Sequence, residues 1–123
     1  MGYVFSFEKL EVWQNAKNLT IFVYNITKLF PTNEQYGISS QIKRSTSSIA
    51  TNIAEGTSRD TPIEKSRFLT IAYSSAMETL NHLIIAKELN YLSEENYTIC
   101  RQEIEKICNQ INNLKKYFLS QNK

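Results

Sequence analysis

The stretch from Tyr97 to Phe118 limits the fold of this chain more than any other. Tyr97, Cys100, Ile104, Ile107, Ile111, Leu114 and Phe118 recur at alternating steps of three and four. That spacing returns apolar side chains to one side of an α-helix, whereas a strand alternates its faces every second residue. An unbroken seam of this kind has to be covered by another helix, as in a coiled coil. Ser93 supplies an N-cap, Glu94 and Glu95 suit the positive end of the helix dipole, and Leu92 with Tyr97 makes a hydrophobic staple. Lys115, Lys116 and Lys123 cluster near the other end, where cations complement the dipole.

The partners for that seam lie upstream. Thr61-Pro62-Ile63-Glu64 reads as a helix start, with a threonine cap, proline at the first helical position and a capping-box glutamate. Phe68, Ala72, Ser75, Thr79, Leu83 and Ala86 then form a stripe whose small members let a neighbouring helix come close, and Asn90 suits a left-handed C-terminal residue. Before it, Ser39 or Ser40 is expected to cap a helix with Ile42, Thr46, Ile49 and Ile53 on one face, ended by Gly56 as a left-handed cap. In the first helix Ser6 is the expected N-cap, Glu8 favours the first turn, and Phe5 with Leu10 forms a staple. Its stripe reads Leu10, Trp13, Ala16, Thr20, Val23, Ile26 and Phe30, and Pro31 stops it. Ile21, Phe22, Tyr24 and Leu29 fall outside that stripe, so this helix is either central in a bundle or part of a subunit interface.

These patterns predict one all-α domain over residues 1–123, with helices at about 7–30, 39–55, 62–89 and 94–120. Residues 31–38 form a connection that pivots on Gly37. Short connections make the arrangement an antiparallel, up-down-up-down four-helix bundle. With three glycines and two prolines in 123 residues, a turn-rich β fold is disfavoured.

The same residues argue against several kinds of chemistry. A di-iron bundle needs paired Glu-x-x-His motifs, and the single histidine, His82, has Glu78 four residues before it rather than three. Nucleophile elbows and phosphate-cradling glycine loops are absent. No catalytic residue, metal ligand set or cofactor is therefore assigned, and the chain is expected not to be an enzyme. Cys100 and Cys108 stand eight positions apart, about 12 Å of helix rise, which is too far for a disulfide within one helix. Both fit the apolar pattern, so a reduced, cytoplasmic protein is expected. No segment approaches the roughly 20 apolar residues of a membrane span, and no secretory start precedes the first helix. A myristoylation-like pattern over residues 1–6 and three glycosylation-like triplets are read as coincidences of short motifs.

Two polar features remain. Ser45, Ser48, Asn52 and Glu55 share one face of the second helix, and Ser75 and Glu78 follow a similar line on the third. Either that row faces water, or it forms hydrogen bonds between helices or subunits. Lys43, Arg44, Arg59, Lys65 and Arg67 gather in sequence around the same two helices, offset in part by Glu55, Asp60 and Glu64. The formal net charge of +2 permits nucleic-acid binding without requiring it. In an oligomer, symmetry would repeat the basic residues and their fields would add.

The opening Phe7-Glu8-Lys9-Leu10-Glu11-Val12-Trp13, the run Gln41-Ile42-Lys43-Arg44 with Ser48 to Gly56, and Phe68-Leu69 followed by Ser75 and Glu78 are similar to motifs of one bacterial family. The chain resembles, along nearly its whole length, the four-helix-bundle proteins that carry a ribosomal-protein label. Members are encoded within intervening sequences of large-subunit ribosomal RNA genes, and accessory variability proteins of diversity-generating retroelements are related to them. The resemblance implies a ring-like homo-oligomer, a pentamer, and the related accessory proteins are basic scaffolds for nucleic acid and a reverse transcriptase. This chain is less basic than those relatives. Two roles are expected: an RNA-associated module that uses a repeated basic surface, or a scaffold that binds another protein and no nucleic acid.

Overall fold

The computed structural model describes residues 2–121; Met1, Asn122 and Lys123 lie outside the described residues, and with them the expected Lys123 charge and the start of the myristoylation-like pattern. Four helices follow in order: α1 (Glu11–Thr27), α2 (Ile38–Thr57), α3 (Pro62–Glu88) and α4 (Glu94–Ser120), with 3₁₀ turns at Ser6–Lys9 and Thr32–Glu34. Each helix packs on the next, and α4 returns to α1. Among the described residues the backbones of α1 and α3, and of α2 and α4, do not approach one another. This is an antiparallel four-helix bundle whose longest seam joins α2 to α3.

The core is what the periodicities require. Ile42, Thr46, Ile49 and Ile53 of α2 are fully covered, and so are Cys100, Ile107 and Ile111 of α4; Ile104 is nearly so. Leu114 and Phe118 extend the α4 seam as half-buried side chains. The caps of the second half also form. Thr61 Oγ1 accepts the Glu64 N–H at 3.1 Å with Pro62 in the first turn, and Ser93 Oγ accepts the Asn96 N–H at 3.1 Å. Asn90 takes φ 63°, and the N–H of Tyr91 reaches the Ala86 carbonyl at 2.9 Å while that of Asn90 reaches Lys87 at 3.0 Å. Those two bonds are the reciprocal closure of a left-handed helix end.

The first helix departs from its expected outline. Glu8 accepts the Phe5 N–H at 2.8 Å, which closes a separate turn over Ser6–Lys9, and Leu10 is extended, so α1 starts at Glu11 and Ser6 caps nothing. Phe5 is 59 % exposed and meets the edge of Tyr3 instead of stapling Leu10. Thr27 turns its hydroxyl onto the Val23 and Tyr24 carbonyls, and the chain leaves α1 through i→i+3 bonds at Leu29 and Phe30, short of Pro31. The buried stripe is Val12, Ala16, Leu19, Val23 and Ile26, one position off the expected line at Trp13 and Thr20, which stand at the rim towards α2.

Both expected ends of α2 are corrected too. Gly37 occupies the N-cap, while Ser39 is buried inside the first turn. Gly56 does not end the helix in a left-handed conformation; no described glycine has positive φ. It lies inside α2, where an added Cβ would fall 2.8 Å from Phe68 Cβ and 3.3 Å from the Lys65 carbonyl oxygen. Glycine is needed here because two helices touch.

Cys100 and Cys108 are free and buried. Burial, with the Glu103 charge adding to it, pushes the Cys100 thiol from 9.0 up to about 12, and burial raises Cys108 as well. Such a thiol stays protonated in the fold while it ionises in the unfolded chain. Its contribution is therefore complete below pH 9 and is lost as pH rises towards 12, at about 1.4 kcal/mol per unit or less. Urea midpoints measured at stepped alkaline pH should fall more steeply for the native sequence than for Cys100→Ala. Equal slopes would show that the thiol ionises freely in the folded state.

Candidate functional site

The α2–α3 seam converts the polar row into contacts. Asn52 Nδ2 donates to the Ser48 carbonyl at 2.8 Å and to Ser48 Oγ at 3.0 Å, which leaves the Ser48 hydroxyl free to donate to Ser75 Oγ at 2.9 Å. One turn further, Thr79 Oγ1 donates to Ser45 Oγ at 2.8 Å and also lies 2.8 Å from the Ser75 carbonyl, and all of these atoms are buried. The row thus divides. Ser45 and Ser48 join the seam with Ser75 and Thr79, while Glu55 is exposed and outside it. Glu78 is also outside, 3.5 Å from His82 Nε2 on its own helix and without hydrogen-bond geometry.

The five expected cations do not form one patch. Lys43 leans over the Tyr24 ring at 5.4 Å and Arg44 is exposed beside it. Sixteen residues of near-continuous helix put Arg59 about 24 Å further along α2. There Arg59 stacks on Phe68 with its guanidinium 4.4 Å from the ring centroid. Lys65 donates to the Thr57 carbonyl at 2.8 Å and stands 5.1 Å over Phe118. Arg67 is exposed on α3, directly before Phe68. To this group the fold adds Lys115 of α4, whose Nζ donates to Thr70 Oγ1 at 2.7 Å. None of the ion pairs among the described residues involves these four cations.

Lys115 is the member that spacing along the chain assigns only to a helix dipole. A signal for it does exist, because no carboxylate follows Glu105 and α4 ends in asparagines, glutamines and lysines. Aromatic faces hold two of the cations in place, so less side-chain freedom is lost when they meet an anion. Asp60 and Glu64 lie nearby in the chain and lower the local positive potential.

The opposite end of the bundle differs in character. A hollow of about 670 Å³ there is lined by Ile26, Leu29, Lys87, Tyr91, Ser93 and Glu94, among others, with Lys87 and Glu94 paired at 3.6 Å. Tyr91 donates to Glu34 at 2.9 Å and joins the two connections; that bond, burial and the Glu34 charge raise the phenol above its ordinary value. Among the described residues no three His, Cys, Asp or Glu side chains come together as a metal site, and no helix is long and apolar enough to cross a membrane.

Architecture and surface together define a class, a four-helix-bundle protein with a cation-bearing end and a hydroxyl-lined seam between its two middle helices. The chain belongs to the 23S rRNA-intervening sequence protein family, whose model matches residues 8–113. It is also similar to the crystal structure of a protein of unknown function from the S23 ribosomal protein family of Bacteroides thetaiotaomicron VPI-5482. The two are 26 % identical with a TM-score of 0.78 over 85 % of this chain and 98 % of that one. No curated protein matches the chain.

Proposed function

We propose that this protein is a non-enzymatic, cytoplasmic bundle that associates with nucleic acid, RNA in particular, as a homo-oligomer, for which the family resemblance implies five subunits. The observation that carries the reading is the gathering of Arg59, Lys65, Arg67 and Lys115 from three segments at one end, none of them neutralised by an ion pair. The family's link to ribosomal RNA intervening sequences supports RNA as the class of ligand. A single subunit offers only a few phosphate contacts. Repetition of the cluster by symmetry would multiply both the field and the number of contacts.

The test is a salt titration with structured RNA. Phosphate contacts release counterions, so affinity should fall steeply as salt rises, and each contact removed should flatten the logarithmic slope by roughly one unit. Arg59→Gln with Lys115→Gln is expected to weaken binding by about tenfold or more and to reduce the slope. Lys43→Gln with Arg44→Gln, at the far part of α2, should change it much less. A slope that ignores Arg59 and Lys115, or no binding at low salt, would favour the second reading, a scaffold for another protein. That alternative is supported by the apolar side chains left uncovered on α1 and α3.

A further inference from the structure

Cations of the chain lie over several of its aromatic rings: Lys17 on Trp13, Lys43 on Tyr24, Arg59 on Phe68, Lys87 on Tyr97 and Lys65 on Phe118, all within 5.4 Å. Tyr117 has none among the described residues, although it stands in the last turn of α4, at the cation-bearing end. It is 58 % exposed. Phe118 is its aromatic neighbour, with centroids 5.7 Å apart and planes tilted by 55°, a contact that leaves the Tyr117 ring unstacked. A lone exposed tyrosine is ordinary on a protein surface. The surroundings of this one are not.

Phe118 links this ring to the basic cluster, because its centroid is also 5.1 Å from Lys65 Nζ. Lys65 donates one of its three protons to the Thr57 carbonyl, which leaves the others for an anion. Lys116, the residue before Tyr117, is exposed and has no ion-pair partner among the described residues. Towards the middle of α4, Asn113 and Asn109 stand on the same outward side at four-residue steps, and both are exposed. They carry amide donors and acceptors about 12 Å down the helix from Tyr117. No carboxylate interrupts this side after Glu105, and Lys106 is matched by Glu103 at 3.2 Å.

A bare ring, flanking ammonium groups and nearby amides are the parts of a site for an unpaired nucleotide. The ring offers a stacking surface, the cations hold phosphates, and the amides bond to base edges. A base inside an A-form helix is closed to such a site, since its faces are covered by its neighbours and its major-groove edge lies too deep for side chains. Cations alone would serve paired and unpaired strands alike. The ring is what discriminates. We propose that this end of α4 receives unpaired RNA, with one base stacked on Tyr117, the adjoining phosphates on Lys65 and Lys116, and Asn113 bonded to the edge of the next base. This rests on the RNA-associated reading above and adds the strand state of the ligand.

Fluorescence anisotropy of the full chain tests this, with a labelled unstructured RNA of about 12 nucleotides and with the duplex of the same sequence. The single strand is expected to bind several times more tightly than the duplex at equal salt. Tyr117→Leu should weaken single-strand binding by roughly tenfold while leaving the duplex affinity and the salt slope unchanged. The residue is exposed, so the variant should keep its helical circular dichroism. Tyr117→Trp, which restores a stacking ring, should bind the single strand at least as tightly as the unaltered chain. If Tyr117→Leu alters neither affinity, or weakens both alike, the stacking assignment is wrong while the salt-dependent RNA reading stands. Failure of the unaltered chain to bind either RNA at low salt would overturn both.

Discussion

Gly56→Val is expected to lower the stability of the bundle by about 3 kcal/mol, read as a shift of the urea midpoint. A first side-chain carbon at this position already falls 2.8 Å from Phe68 Cβ. That atom is fixed to the α3 backbone and cannot swing aside, so relief requires α2 and α3 to move apart. The movement would also disturb Arg59, which lies on the Phe68 ring. Gly56→Ala is the milder case, because about 1 kcal/mol of helix propensity offsets part of the clash. An unchanged midpoint for valine would show that the α2–α3 contact has slack.

Ile49→Ala should be the most damaging simple truncation, costing about 2–5 kcal/mol and lowering the melting temperature by roughly 10 °C or more. Ile49 is fully covered at mid-length of α2, between Thr46 and Ile53, and α2 meets both α1 and α3. Removing its outer atoms leaves a void that helices held by hydroxyl pairs on one side cannot readily collapse into. Against total stabilities of about 5–15 kcal/mol, a loss of that size is a large fraction. The comparison is Ile21→Ala, which removes an equal side chain from an exposed position and should leave the subunit's own stability nearly unchanged. If both substitutions shift the thermal midpoint equally, Ile49 is not a core residue.

The fold was legible where local chemistry and periodicity agree. Thr61, Ser93 and Asn90 announce helix ends by their own side chains or backbone preferences, and the stripe of α4 admits only one buried face. The errors fall where one residue type serves two purposes. Glycine after an isoleucine stripe reads as a cap, yet Gly56 is a contact point, and only the position of Phe68 decides between the two. Ser39 is a good cap residue that the chain buries instead, since Gly37 already turns it into α2. A row of hydroxyls at helical spacing looks the same whether it faces water or another row. Ser48 needed Ser75 opposite it before its role was visible. The basic cluster was half legible for a similar reason: Lys115 is fifty positions from Lys65 in the chain and joins it only once α4 has folded back.

The hydroxyl pairs of the α2–α3 seam carry one more meaning. An isoleucine stripe tolerates sliding: moved along its neighbour by one turn, about 5.4 Å, it still covers apolar surface. Ser45 with Thr79, and Ser48 with Ser75, do not tolerate it, since a slipped helix would strand buried donors opposite methyl groups. The seam therefore works as a key in a lock as well as an adhesive. It admits a single alignment of the two middle helices, and so sets the height at which the outer helices present their flanks.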